Sequence, residues 1–254
     1  MARRSGSTLA EVLVVIALTC VLIALLIPAV LAVRGAAARA QSANNMKNIV
    51  LGVHAYASSR GGQLPSFNPR TAAYEEHPSV YALILPNLEQ NRAVFVSPLD
   101  PTRSIAVDQE YSSYALNATV FFGWPKMAVT FPDGMSNTIA LTEHYAECDG
   151  TRFMIFATSI AFRRATFADK VDARPITQGN PPVSSSSCAA EPLLTFQVTP
   201  ALAECDDRFP QALQPSGMLV ALADGSVRTL SPGVSPSTYW ALVTPSGGEA
   251  IGDW

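Results

Sequence analysis

Residues 12–33 read VLVVIALTCVLIALLIPAVLAV, twenty-two consecutive residues without a charge. As a helix rising about 1.5 Å per residue they would span about 33 Å, enough to cross the hydrocarbon core of a bilayer. Arg3 and Arg4 precede the run, and Arg34, Arg39 and Lys47 follow it, so charge asymmetry alone does not orient the segment. Its place near the start of the chain favours an N-terminus on the cytoplasmic side. Glu11 stands at the edge of the run. A carboxylate inside a membrane costs about 2.5–3.5 kcal/mol at mid-depth and less near the edge, so it calls for a partner or a reason.

The rest of the composition narrows the function classes. The chain has 254 residues, long enough for a substantial core; 48% are hydrophobic and only 15% charged, which argues against wholesale disorder. A formal charge of −3 provides no basic field for a phosphate backbone, so nucleic acid is not an expected partner. Four cysteines are too few for a disulfide scaffold, although three lie beyond the apolar run, where bridges persist if that part is extracytoplasmic.

Pro28 would remove one helical hydrogen bond and bend the axis, yet the apolar pattern runs on through it. Beyond it Ala36, Ala40, Ala43, Met46, Val50, Val53 and Ala57 recur every three or four residues, with Arg39, Gln41, Asn44, Lys47 and Asn48 on other faces. The spacing predicts one helix from about Thr8 to Ser58, stopped by Arg60-Gly61-Gly62.

After Gly62 the texture is that of an α+β domain. A short helix is expected over Ser79–Leu85, stopped by Pro86. Strands are expected over Ser112–Phe122, Thr138–His144, Arg152–Ala161, Leu193–Val198, Met218–Ala223 and Val227–Leu230. Ala223-Asp224-Gly225-Ser226 reads as a tight hairpin turn, and residues 169–191, with Pro181-Pro182 and Ser184–Ser187, as an irregular loop.

Gly6-Ser7-Thr8-Leu9-Ala10-Glu11, followed by the apolar run, resembles the type IV prepilin leader. The resemblance implies cleavage between Gly6 and Ser7 by a prepilin peptidase, methylation of Ser7, and a Glu11 carboxylate that meets a neighbouring subunit's N-terminal ammonium during assembly. Pilin-like chains also carry a proline at the place of Pro28. Ser7 stands where that family usually has Phe, and Ala10 where it has Ile or Leu.

Further blocks run in order along the chain: Asn44–Ile49, His54-Ala55-Tyr56, Leu64-Pro65, Leu85–Gln90, Ser97–Pro101, Asp133–Ile139, Glu143, Ala221–Arg228, Tyr239–Leu242 and Thr244–Glu249. Together they resemble a large family of uncharacterised bacterial proteins with a prepilin-type N-terminus and a processing-associated motif of His, nine residues, then Asp-Gly. Here Gln214 occupies the His position before Asp224 and Gly225, and Ser97 and Leu99 depart from a Cys-Pro-Ser-Asp-Pro pattern. A glutamine can hydrogen-bond but not replace a catalytic or ligating histidine in full, so the substitution favours a turn-fixing role.

The organisation expected is a leader at 1–6, a membrane and assembly helix at 7–33, its amphipathic continuation at 34–60, and an α+β head at 61–254 with an antiparallel sheet. The function expected is a pilin-like or pseudopilin-like subunit of the inner membrane, N-terminus cytoplasmic and head periplasmic or extracellular. Its partners would be the peptidase and copies of itself or related subunits in a type II secretion or type IV pilus-like system. No cofactor, metal or catalytic residue is expected. Glu143 and His144 are adjacent on a strand and point to opposite faces, which argues against a joint acid–base site. Asp133-Gly134, Asp149-Gly150 and Asp224-Gly225 lack EF-hand spacing and read as turns, and His54 reads as a packing or capping residue.

Four readings compete with assembly. A secretory signal would be cut after Val30-Leu31-Ala32, a lipoprotein signal would use Cys20, and a membrane-anchored binding protein would never polymerise. An anchored hydrolase would need Glu143 or His144. Cys188 and Cys205, which flank a candidate strand and its loops, are the favoured disulfide, with the other pairings open.

Overall fold

The computed structural model describes residues 9–66, 79–104, 110–155, 163–164, 166–168, 195–207, 209–249, 251–252 and 254. The chain forms two compact units, Met1–Ala40 and Gln41–Trp254, and one helix, α1 (Leu9–Ser59), contributes to both. In the first unit α1 continues through Pro28 and leaves its large apolar side chains, from Leu9 to Val33, exposed on every face. The Thr19 hydroxyl donates to the Val15 carbonyl at 2.6 Å, which satisfies this polar group within the helix.

In the second unit the same helix buries Ser42, Asn45, Met46, Ile49, Val50, Val53, Tyr56 and Ala57. The buried stripe differs from the expected apolar one: Ser42, Asn45, Ile49 and Tyr56 belong to it, while Ala36 and Ala40 are exposed. The helix ends where expected: the Gly62 amide donates to the Ala57 carbonyl at 2.8 Å, the six-to-one bond of a Schellman cap.

A five-stranded sheet forms the centre of this unit. Its strands are β1 (Tyr114–Asn117), β2 (Ile139–Glu143), β6 (Thr166–Phe167), β9 (Met218–Leu222) and β10 (Val227–Leu230), in the order β10-β9-β2-β1-β6. All pairs are antiparallel except β1 with β6, so the expected antiparallel sheet is a mixed one with a parallel edge. Small sheets join β3 (Glu147–Cys148), β4 (Thr151–Met154) and β5 (Arg163–Arg164), and β7 (Gln197–Val198) with β8 (Gln211–Ala212).

Both faces of the main sheet are covered, which is why β9 reads as an unbroken apolar run, MLVAL. Leu219 and Ala221 face the core built on α1, while Met218, Val220 and Leu222 face a second core built on α5 (Pro236–Val243) through Tyr239, Leu242 and Val243. In β2, Ala140 and Leu141 both join the first core, because a bulge between Ile139 and Leu141 resets the alternation. Asn117 fixes α5: its Nδ2 donates to the carbonyls of Ile139 at 2.6 Å and Val243 at 2.7 Å. Its Oδ1 accepts from the Thr119 amide and caps the turn α3 (Ala118–Phe121), which ends the strand expected to run to Phe122.

Other boundaries also moved. α2 (Val80–Ile84) is capped by Ser79, and Pro86 then sits in a 3-10 turn over Leu85–Leu88 instead of stopping the chain. Asp149-Gly150 is the two-residue hairpin turn, with φ of 48° and 71°, matching a type I′ turn. Asp224-Gly225 is not. There the Gly225 amide bonds the Leu222 carbonyl at 2.9 Å and only Gly225, at φ 87°, is left-handed, so the loop is a type I turn closed by a glycine bulge. The expected 169–191 loop and most of Arg152–Ala161 lie outside the described residues.

The disulfide corrects the sequence reading. Cys205 bonds Cys148, with Cα atoms 5.5 Å apart, and not Cys188, which lies outside the described residues. The Asp149-Gly150 turn holds Cys148 in the first core, and the β7–β8 pairing brings the buried Cys205 back to it, a proximity that sequence spacing does not contain. The bridge spans 57 residues, a separation for which chain-entropy arguments give about 4 kcal/mol. Peptide mapping of the oxidised protein should recover Cys148 joined to Cys205, and the double Ser variant should unfold at markedly lower denaturant; a Cys188–Cys205 peptide would overturn the assignment.

Candidate functional site

The motif residues of the head gather in two buried polar knots and one open cleft. The first knot lies between α1 and the sheet. Glu143, on the same face of β2 as Leu141, is fully buried; its Oε1 accepts from Ser42 Oγ at 3.2 Å and its Oε2 from the Leu219 amide at 2.9 Å. Ser97 donates to Ser42 Oγ at 3.1 Å, the Tyr114 hydroxyl lies 3.0 Å from it, and Asn45 donates to the Val96 carbonyl. Burial pushes the Tyr114 hydroxyl up to about 12, so it stays protonated and able to donate.

The second knot surrounds Asp100. Its Oδ1 accepts from the amide and hydroxyl of Thr102 at 2.8 and 2.7 Å, and its Oδ2 from Ser113 Oγ at 2.6 Å and the Ala146 amide at 2.9 Å. Burial pushes its carboxyl above the ordinary range, while these donors pull it back. Asp100 therefore clips the 97–102 turn to the residue that leads into β1 and to the segment after β2.

Glu143 and His144 diverge. His144 turns its Nδ1 to the Tyr145 carbonyl and meets the Phe153 ring edge-on, with centroids 4.3 Å apart. His54 Nε2 lies 2.7 Å from the Ala223 carbonyl and so donates to it, tying α1 to the β9–β10 turn. That turn is also held by Asp224 Oδ1, which accepts from the Ser226 amide, and by bonds from the Ala223 and Asp224 amides to the Thr138 and Met135 carbonyls.

Gln214 offers its carbonyl to the Gly217 amide at 3.2 Å, closing the turn that enters β9. Gly217 has φ 124°, and a Cβ there would run into the Leu230 carbonyl, so this turn admits only glycine. Gln214 and Asp224 stand at opposite ends of five-residue β9, about 17 Å of strand at ~3.4 Å per residue. The spaced motif thus marks the two ends of one strand and does not assemble a single site.

The cleft encloses about 450 Å³ between three motif segments: Asp133 and Asn137 on one loop, Arg228 on β10, and Gly248, Glu249 and Trp254 on the segment after α5. Asp133 clamps that segment, its carboxylate accepting from the Gly247 amide at 2.7 Å and the Gly248 amide at 3.1 Å. The Arg228 guanidinium lies 5.2 Å above the Trp254 ring.

Of the residues expected in processing and assembly, Gly6 and Ser7 lie outside the described residues, Glu11 falls in the first turn of α1, and Pro28 lies within it. Among the described residues no group of His, Cys, Asp or Glu has a metal-binding arrangement. Sequence reading missed Ser42, Tyr114 and Trp254, and it placed Asp100 and Arg228 in motif blocks without giving either a role. Ser42 was detectable, because it stands three before Asn45 and seven before Ile49, on the helical face that holds Met46.

Residues 31–106 match the model of a family described as a protein of unknown function (DUF1559), and the chain is similar to that family over this stretch. No curated protein and no solved structure matches the chain.

Replacing Glu143 should show what the first knot contributes. Glu143→Ala leaves the Leu219 amide and Ser42 without their buried acceptor and should cost about 3 kcal/mol, whereas Glu143→Gln keeps one acceptor and should cost about 1 kcal/mol. Urea unfolding of the full chain in detergent micelles measures both; equal, negligible losses would remove the knot from the fold's essential contacts.

Proposed function

We propose that this chain is a pilin-like subunit of the bacterial cell envelope, with a structural and not a catalytic role. The observation that carries the reading is α1 itself. A single helix presents apolar side chains on every face through Val33 and then, from Ser42, buries a stripe in the head's core. A removable export signal has no need to continue as a core element of the folded domain, and in α1 the helix passes without interruption through the alternative cleavage point after Ala32.

In this reading a prepilin peptidase cuts between Gly6 and Ser7 and methylates Ser7, residues 7–33 sit in the inner membrane with the N-terminus cytoplasmic, and the head lies outside the cytoplasm. The Cys148–Cys205 bridge supports that side, because disulfides persist in oxidising compartments. Subunits would leave the bilayer by packing their apolar helices against one another, with Glu11 meeting a neighbour's N-terminal ammonium. The partners are then the peptidase and copies of this chain or related subunits. The knots support a structural role, since Glu143 and Asp100 are occupied by bonds that hold the fold.

A second reading, an anchored protein that binds a ligand without polymerising, is favoured by the cleft at Arg228 and Trp254. Mass analysis of the N-terminal peptide from native membranes tests the processing step: the expected product begins at N-methylated Ser7, whereas a start at Met1 or Val33 sinks it. Glu11→Ala then separates the two readings. A subunit should lose inter-subunit crosslinking while its processing and head stability are retained, and crosslinking equal to wild type would favour the anchored binder.

A further inference from the structure

The cleft between the 133–137 loop, β10 and the segment after α5 gathers Arg228 and Glu249, which form no ion pair among the described residues. Asp133, the carboxylate at its back, is committed to the Gly247 and Gly248 amides. Asn137, an exposed residue lining the cleft, spends its Nδ2 on the Asp133 carbonyl at 2.8 Å, which leaves its Oδ1 as an acceptor. Arg228 is exposed and enters no ion pair among the described residues; its guanidinium is held by the Trp254 ring, a contact that orients it without neutralising it. Glu249, also exposed, lines the same cleft; its Oε2 accepts from Thr244 Oγ1 at 3.5 Å and its carboxylate lies against the Gly247 backbone.

A ligand here must therefore answer a fixed cation and a carboxylate within one cavity of about 450 Å³. A simple anion would face Glu249, and a simple cation would face Arg228. A neutral sugar would cover both charges without pairing either, which costs the desolvation of each. A small zwitterion meets every demand, and the volume lies in the range of small-molecule sites. We propose that this cleft binds a zwitterionic ligand of the amino-acid or short-peptide class, its carboxylate bonded to Arg228 and its ammonium to Glu249 and Asn137 Oδ1. Every residue in the site belongs to the Gln41–Trp254 unit.

Calorimetric titration of the full chain in detergent micelles tests the proposal with four probes: L-alanine, L-alanyl-L-alanine, its N-acetyl derivative and its C-terminal amide. Binding of one equivalent of alanine or dialanine is expected, and the better of the two identifies a free amino acid or a peptide as the source. Each capped derivative should bind about tenfold or more weakly, as loss of a charge-assisted bond requires. Arg228→Gln should weaken the zwitterion by a similar factor but leave the amide's affinity unchanged, and Glu249→Gln should do the same for the acetyl derivative. Both side chains are exposed, so thermal unfolding should match wild type. No heat from any probe up to about 10 mM, equal affinity for capped and uncapped forms, or wild-type binding by both variants would overturn the proposal.

Discussion

The head depends on a buried carboxylate. Glu143 is withdrawn from water at the face where α1 meets the sheet, and a carboxylate there is tolerable only if donors replace its hydration. The Ser42 hydroxyl and the Leu219 amide do so from two directions, one from the helix and one from β9. Apolar contacts between a helix and a sheet are permissive of sliding. A hydroxyl that must meet one oxygen of one carboxylate is not, so Glu143 sets the register at which Met46, Ile49, Val50 and Val53 enter the core. Ser97, Asn45 and Tyr114 extend the same network to the 97–102 turn and β1, and Asp100 continues it to the segment after β2.

With the register set, the sheet can be covered on both sides. The helix takes the face of Leu219 and Ala221, α5 takes the face of Met218 and Val220, and the bulge in β2 lets two successive residues serve one core. The Asn117 amide is the counterpart of Glu143 on the far side, because it bonds β2 and the end of α5 at once. Polar side chains on the helix and the strands thus join elements more than a hundred residues apart.

Much of this was legible from local pattern. The apolar run, the helix and its glycine stop, the β9 and β10 strands and the turn character of the Asp-Gly pairs all follow from periodicity and backbone preference, which are local properties. What was not legible depends on chain return. Cys148 and Cys205 are brought together by a hairpin and a parallel pairing, and nothing in their spacing announces it. Ser42 was passed over because the stripe was sought among apolar residues, although the face that binds Glu143 must be polar at one point. Arg228 and Trp254 belong to segments that meet only after β10 and α5 are in place.

The two parts of α1 show how far one secondary structure can serve opposite solvents. From Ser42 onward its sequence is a compromise, with polar side chains both at the core and outside it. Through Val33 there is no such compromise, since no face is spared apolar residues. A helix of that kind is stable only where every face meets lipid or other apolar helices. The motif residues of the head are, in the main, consumed in holding the fold: Asn45, Asp100, Glu143 and Asp224 all have their bonds within the chain. Among the described residues, the apolar length of α1 through Val33 and the charged cleft around Arg228 are two surfaces that the fold leaves exposed.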